Sequence, residues 1–159
     1  MAKDDFKFHG SLRVRWMESD AQGIVYFGAY MNYLEVAWSE YFRNLGFSVY
    51  QVAQNGYFDT AVVKTVTEYK SPARLDDILE LHTRITHIGK ASLAVQVEIY
   101  RQGSDRLLTR VEAVYVGFVP GLESSGPVPD DIRELVDHFE ATGEVLSLER
   151  FPLLAEAAK

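Results

Sequence analysis

The residues best placed to do chemistry lie together near the N-terminus, in Asp20-Ala-Gln-Gly23-Ile-Val-Tyr26-Phe27-Gly-Ala-Tyr30. A carboxylate stands in a polar loop, a glycine lets the backbone bend tightly, and a long helix is predicted to begin between Tyr26 and Gly28. The first turn of a helix has unpaired N–H groups and the positive end of the dipole, about half a unit charge. Such an end can hold a developing oxyanion. A carboxylate close to an acyl carbonyl held there could attack it or activate a water. Aspartate is ordinarily ionised at neutral pH, which suits a nucleophile or base and not a proton donor. The plainer role for an Asp before a helix is a cap or a solvated loop residue. Asp20 stands about six to eight residues ahead of the predicted start, too far for a simple N-cap.

Other chemistries lack their residues. The chain has no Cys, which removes a thiol nucleophile, a disulfide framework and a thiolate metal site. There is no G-x-S-x-G elbow, no G-x-G-x-x-G and no phosphate-binding loop of Walker type. His82 and His87 are separated by an odd number of positions on a predicted strand, so they are expected on opposite faces with no shared metal. No metal or prosthetic group is expected. With 16 Lys and Arg against 23 Asp and Glu, the net charge of −7 argues against a nucleic-acid partner. The N-terminal Met1-Ala-Lys-Asp-Asp-Phe-Lys lacks the apolar run of a signal peptide, and no long apolar stretch predicts a membrane span. A cytoplasmic protein is expected.

The elements that must position Asp20 are legible from periodicity. At 159 residues the chain is long enough for one real core. Leu12, Val14 and Trp16 alternate with Arg13 and Arg15 and predict a short strand. Tyr30, Tyr33, Leu34, Ala37, Trp38, Tyr41, Phe42 and Leu45 follow helical spacing without a gap, and Gly46 is placed to stop the helix. Beyond Gly56 the period becomes two. Strands are predicted over residues 61–70, 79–86, 93–100 and 109–116, the last three as an antiparallel meander with one apolar face. Pro129-Asp130 opens a second short helix carrying Ile132, Leu135, Val136 and Phe139. The reading is α+β, one domain over residues 1–141, with a weakly patterned tail over 142–159.

The run from Trp16-Met-Glu-Ser-Asp20 through Gly23, Tyr26, Phe27 and Tyr30 to Tyr33-Leu-Glu35 resembles the signature of hot dog fold acyl-CoA thioesterases, in the 4-hydroxybenzoyl-CoA thioesterase-like group. A second match is Tyr69-Lys-Ser-Pro72-Ala73-Arg74-Leu-Asp-Asp77, and the resemblance covers about residues 8–120. It implies a five-stranded antiparallel sheet wrapped around one long central helix. It implies Asp20 as nucleophile or general base, the backbone N–H of Phe27 as the carbonyl-polarising donor, and Gly23 as the loop's flexible point. Tyr26 and Tyr30 would line the acyl pocket or the helix packing. Many relatives have His where this chain has Phe27, so only a backbone donor is retained there.

The implied substrate is a small aromatic or short- to medium-chain acyl-CoA, with coenzyme A as part of the substrate and no cofactor. Its phosphates need cations, for which Lys64, Lys70, Arg74, Arg84 and Lys90 are available. Lys90, in a turn, is preferred, while Arg74 beside Asp76 and Asp77 also fits a surface ion pair. Glu35 and, from a neighbouring subunit, Thr60 and Thr65 are further pocket candidates. The family's edge-to-edge dimers imply a homotetramer built as a dimer of dimers. A non-catalytic acyl-CoA or acyl-carrier-protein binding module and a hot dog hydratase or dehydratase are the alternatives; the retained Asp20 opposes the first, and the lack of a nearby His opposes the second.

Overall fold

The ring-rich stripe predicted after Gly28 forms α1, Ala29–Asn44, and buries Tyr30, Tyr33, Leu34, Ala37, Trp38, Tyr41 and Phe42 on one side. Gly46, at φ +111°, turns the chain away in a conformation that favours glycine. Each large ring withdrawn from water contributes about 1.5–3 kcal/mol, so this one helix anchors the core. The structure, a computed structural model, describes residues 3–119, 121 and 123–159. The start of the segment read against a signal peptide, Met1-Ala2, therefore lies outside the described residues.

The helix lies across an antiparallel sheet of β1 (Phe8–Arg13), β2 (Asp59–Tyr69), β3 (Ile78–Ile88), β4 (Ser92–Arg101), β5 (Leu107–Val119) and β6 (Ser124–Gly126), with α2 (Val49–Gln54) between α1 and β2. The spatial order is β1-β3-β4-β5-β2, with β6 paired to β5. β3, β4 and β5 form the predicted meander, and Leu81, Val97, Val111 and their alternate neighbours are buried beneath α1. The sheet has six strands where five were expected. The sixth has only three residues, opposite Gly117–Val119, too few to show a period of two.

Two local expectations are corrected. The first strand starts at Phe8 and ends at Arg13, and Trp16 begins a short 3-10 turn, Trp16–Glu18, where it is 83% exposed. His82 and His87 share the outer face of the sheet. Their partners Glu98 and Ala94 are an even number apart on β4, and a bulge between Ile85 and His87 adds one residue to β3. A parity argument cannot see a bulge. His82 is buried there, stacked on His9 at 4.7 Å, and beside Glu80 at 3.1 Å.

α3 (Asp130–Thr142) lays Ile132, Leu135, Val136 and Phe139 into the core. Its Glu140 accepts hydrogen bonds from Tyr41 Oη at 2.5 Å and from the Ile85 N–H at 2.9 Å, beside the bulge. Burial pushes the Glu140 carboxyl above its ordinary range, against the pull of those two donors. Beyond residue 142 a 3-10 turn leads into α4 (Pro152–Ala157). Phe151, Leu154 and Ala157 are buried, and Asn55 donates to the Ala157 carbonyl at 2.8 Å. Among the described residues, no helix is long and apolar enough to cross a membrane.

Candidate active site

Asp20 sits at the head of a tight turn. Its N–H donates to the Ile24 carbonyl at 2.8 Å, and the Gly23 N–H returns to the Asp20 carbonyl at 3.0 Å. Gly23 has φ +76°, the left-handed region where a side chain would be strained. The carboxylate is oriented by its own loop, accepting from the Gln22 N–H at 2.7 Å and the Ile24 N–H at 3.4 Å. The loop is stitched down on its far side, where Val25 donates to Ala73 at 2.9 Å and Ile24 bridges Arg74. Asp20 itself remains exposed.

The start of α1 supplies the donors. Ala29, Tyr30 and Met31 donate three residues back, to Tyr26, Phe27 and Gly28. The N–H groups of Phe27 and Gly28 have no acceptor among the described residues. Asp20, Tyr26, Phe27, Tyr30 and Tyr69 line one open groove. Tyr69 Oη donates to the Phe27 carbonyl at 3.3 Å, and its ring meets Tyr30 edge-on at 5.3 Å. These contacts hold the Phe27–Gly28 peptide, whose carbonyl is engaged and whose N–H is free. Burial pushes the Tyr30 phenol up, so it is a neutral donor at the groove wall.

A buried carboxylate two residues before Asp20 escaped the sequence reading. Glu18 is 3% exposed and accepts from Arg15 at 2.6 and 2.8 Å, from the Arg15 N–H at 2.9 Å, and from Tyr33 Oη at 3.0 Å. Burial pushes its acidity the other way, but the Arg15 guanidinium and N–H and the Tyr33 hydroxyl together hold the carboxyl below its ordinary range. Its carbonyl receives the Tyr26 N–H at 3.1 Å. Glu18 therefore ties the loop to α1 through Tyr33 and closes the two ends of the loop on each other through the Tyr26 N–H. Nothing in the spacing distinguishes it from a solvated loop residue.

The expected cations are dispersed. Lys70 borders the groove, paired with Glu68 at 2.9 Å. Arg74 lies beside the loop, but the ion pair considered for it does not form. Asp77 instead accepts from the Arg74 backbone N–H at 2.8 Å and pairs with Arg101 at 3.0 Å. Lys90 lies at the other end of the sheet, where Ser92 faces Val116, whereas Tyr69 faces Thr109. Seven residues of β5 separate these positions, about 23 Å. Lys64 and Arg84 border a separate hollow on the outer sheet face. Glu35 and Thr60 border a cavity apart from the groove. Thr65 is exposed in mid-strand. Among the described residues, no cluster of three or more His, Asp or Glu could hold a metal ion.

A long helix across an antiparallel sheet, with its N-terminus opening on a carboxylate-bearing loop, defines the hot dog fold. The sequence profile of the thioesterase superfamily matches residues 22–107, and the chain belongs to that family. The acyl-CoA thioester hydrolase YbgC of Escherichia coli O6:H1 is 35% identical over 109 residues, 69% of this chain and 80% of its own length. A DHNA-CoA thioesterase from Staphylococcus aureus superposes with a TM-score of 0.76 at 19% identity, covering 87% of this chain and 95% of that one. A 1,4-dihydroxy-2-naphthoyl-CoA thioesterase from Synechocystis gives 0.73 at 21% identity, covering 79% and 92%. By class, then, the chain is a thioester hydrolase.

Proposed function

We propose that this protein hydrolyses the thioester of a small aromatic or short- to medium-chain acyl-CoA, consuming water and releasing a carboxylic acid and the free thiol of coenzyme A. The observation that carries the reading is the single groove shared by the Asp20 carboxylate and the unengaged Phe27 N–H. In it, the thioester carbonyl oxygen accepts from the Phe27 N–H at the positive end of α1, which stabilises the oxyanion as the carbonyl carbon is attacked. Asp20 acts either as nucleophile or as general base. As nucleophile it forms a mixed anhydride, expelling the thiolate, and water then cleaves that anhydride. As base it takes a proton from the attacking water, and collapse of the tetrahedral intermediate expels the thiolate. Either route uses a carboxylate, water and backbone donors, with no metal or prosthetic group.

Lys70 and Arg74 flank the groove from the same chain and suit the coenzyme phosphates. Lys90 reaches a groove only from a second copy. The long edge of β2, with Val62, Val63 and Tyr69 about half exposed, supports pairing of two copies edge to edge. We infer a dimer that pairs again into a homotetramer, acting in the cytoplasm. The test is release of thiol from a panel of acyl-CoAs, followed with a colorimetric thiol reagent. Asp20→Asn is expected to lower kcat by about 10²–10⁴-fold with an unchanged circular dichroism spectrum. Turnover of the panel by Asp20→Asn at the parent rate would remove Asp20 from the reaction.

A further inference from the structure

The turn over Tyr26–Ala29 that opens α1 is closed by one bond, from the Ala29 N–H to the Tyr26 carbonyl at 3.0 Å. That carbonyl shares its peptide plane with the Phe27 N–H. The bond therefore fixes the direction of the Phe27 N–H, provided that the next peptide, Phe27–Gly28, keeps its own orientation. Nothing in the Phe27 side chain secures that orientation, because the ring is 76% exposed. The helix itself secures it poorly. Four residues on, the Met31 N–H donates to Gly28 at 3.2 Å and not to Phe27, and the Tyr30 N–H reaches the Phe27 carbonyl only at 3.4 Å.

The second bond to the Phe27 carbonyl comes from the sheet, from the Tyr69 hydroxyl at 3.3 Å. Both bonds are longer than the usual 2.8–3.0 Å or so. Neither fixes the peptide alone, and losing one leaves the carbonyl with a single weak donor. Tyr69 is well mounted for this task. It ends β2 opposite Thr109, and the N–H groups of Lys70 and Ser71 both donate to the Leu108 carbonyl, at 2.8 and 3.0 Å. Its ring meets Tyr30 edge-on at 5.3 Å, and Tyr30 is itself buried in α1. A phenol has one proton to donate. With that proton directed at the Phe27 carbonyl, Tyr69 is not a direct donor to a bound thioester.

We propose that Tyr69 is a positioning residue for thioester hydrolysis, its hydroxyl acting through the Phe27 carbonyl to hold the Phe27 N–H in the direction that polarises the thioester. The inference deepens the thioesterase reading above and rests on it. A donor fixed in advance needs no reorganisation as charge develops on the oxygen. The benefit is therefore greatest in the transition state and falls on kcat more than on KM.

Tyr69→Phe keeps the ring against Tyr30 and removes only the hydroxyl. It should lower kcat about three- to tenfold with KM changed by less than about twofold and a parent-like thermal melt. An unchanged kcat overturns the proposal; if KM rises at the same time, Tyr69 is a substrate contact.

The peptide can also be observed directly. Phe27–Gly28 is the only Phe–Gly pair in the chain. Protein labelled with carbonyl-¹³C phenylalanine and ¹⁵N glycine therefore gives one carbonyl–amide NMR correlation, that of the braced peptide. In the ligand-free protein Tyr69→Phe should move its carbonyl resonance upfield, as expected when a hydrogen bond to that oxygen is lost. A resonance that stays in place overturns the brace. Turnover keeps the two readings apart. A parent that releases no thiol from any acyl-CoA overturns the thioesterase reading and this role with it. A parent that does release thiol, with a Tyr69→Phe resonance that moves and a kcat that does not fall, overturns this proposal alone.

Discussion

The Glu18 carboxylate and the Tyr33 hydroxyl are joined by a buried hydrogen bond of 3.0 Å that fastens the segment before Asp20 to the second turn of α1. Because the Glu18 carbonyl also receives the Tyr26 N–H, one residue sets the distance between the carboxylate loop and the free amides of the helix start. Tyr33→Phe should cost about 1 kcal/mol of stability and lower kcat several-fold with little change in KM. Glu18→Ala, which strands both Tyr33 and Arg15, should cost more in kcat, and Glu18→Gln should restore part of it. Steady-state kinetics on the three variants checks the split. Equal effects on kcat and KM would make the pair a stability device only.

The two buried carboxylates should give opposite pH slopes. The folded-state pKa of Glu18 is lowered, so its contribution is present above the unfolded pKa and is lost as pH falls through the folded one. The folded-state pKa of Glu140 is raised. Its contribution is full below the unfolded pKa and is lost as pH rises through the folded one. Melting temperatures from about pH 3 to about pH 7 should show the acid decline flattened in Glu18→Gln. Glu140→Gln, which keeps an acceptor for Tyr41 and Ile85, should melt above the parent near neutrality and converge with it in acid.

Gly23 should tolerate substitution sterically and resist it conformationally. A Cβ there would touch nothing within 4 Å, but φ is +76°. Gly23→Ala is expected to cost about 1 kcal/mol and to lower kcat by disturbing the turn that aims Asp20. Gly23→Asn, which enters the left-handed region more readily, should lose less of both. Denaturant unfolding and thiol release on the same preparations measure the two effects.

The two routes proposed for Asp20 would leave different isotope patterns. Single turnover in ¹⁸O-water with enzyme in excess places the label in the acid product alone if Asp20 is a general base. If Asp20 is the nucleophile and water attacks its side of the anhydride, ¹⁸O appears in the Asp20 peptide, which mass spectrometry detects.

Much of the fold was readable because the periods are strong. The stripe from Tyr30 to Leu45 lies within a turn of the observed helix bounds, and the meander from Leu79 to Val116 alternates almost without fault. The misreadings occur where one residue breaks a period. A single insertion before His87 exchanges the faces of the strand residues beyond it, and a 3-10 turn at Trp16 ends an alternation that the letters continue. Glu18 and Tyr69 gain their places from contacts with residues 15 and 42 positions away, which no local pattern records.

The sequence by itself determined the candidates for the chemistry and where they lie along the chain: a carboxylate in a loop, a bend and one long helix, with no thiol. Local rules suffice for that, because capping, bending and amphipathic periodicity act within a few residues. Only the tertiary structure decided that the Phe27 and Gly28 amides go unengaged, that a buried Glu18 holds the loop, and that Lys90 and the cavity bordered by Glu35 and Thr60 lie far from the groove of their own chain. Each depends on what packs across the sheet and on how burial sets the balance between desolvation and pairing. Those quantities exist only once distant segments are brought into contact.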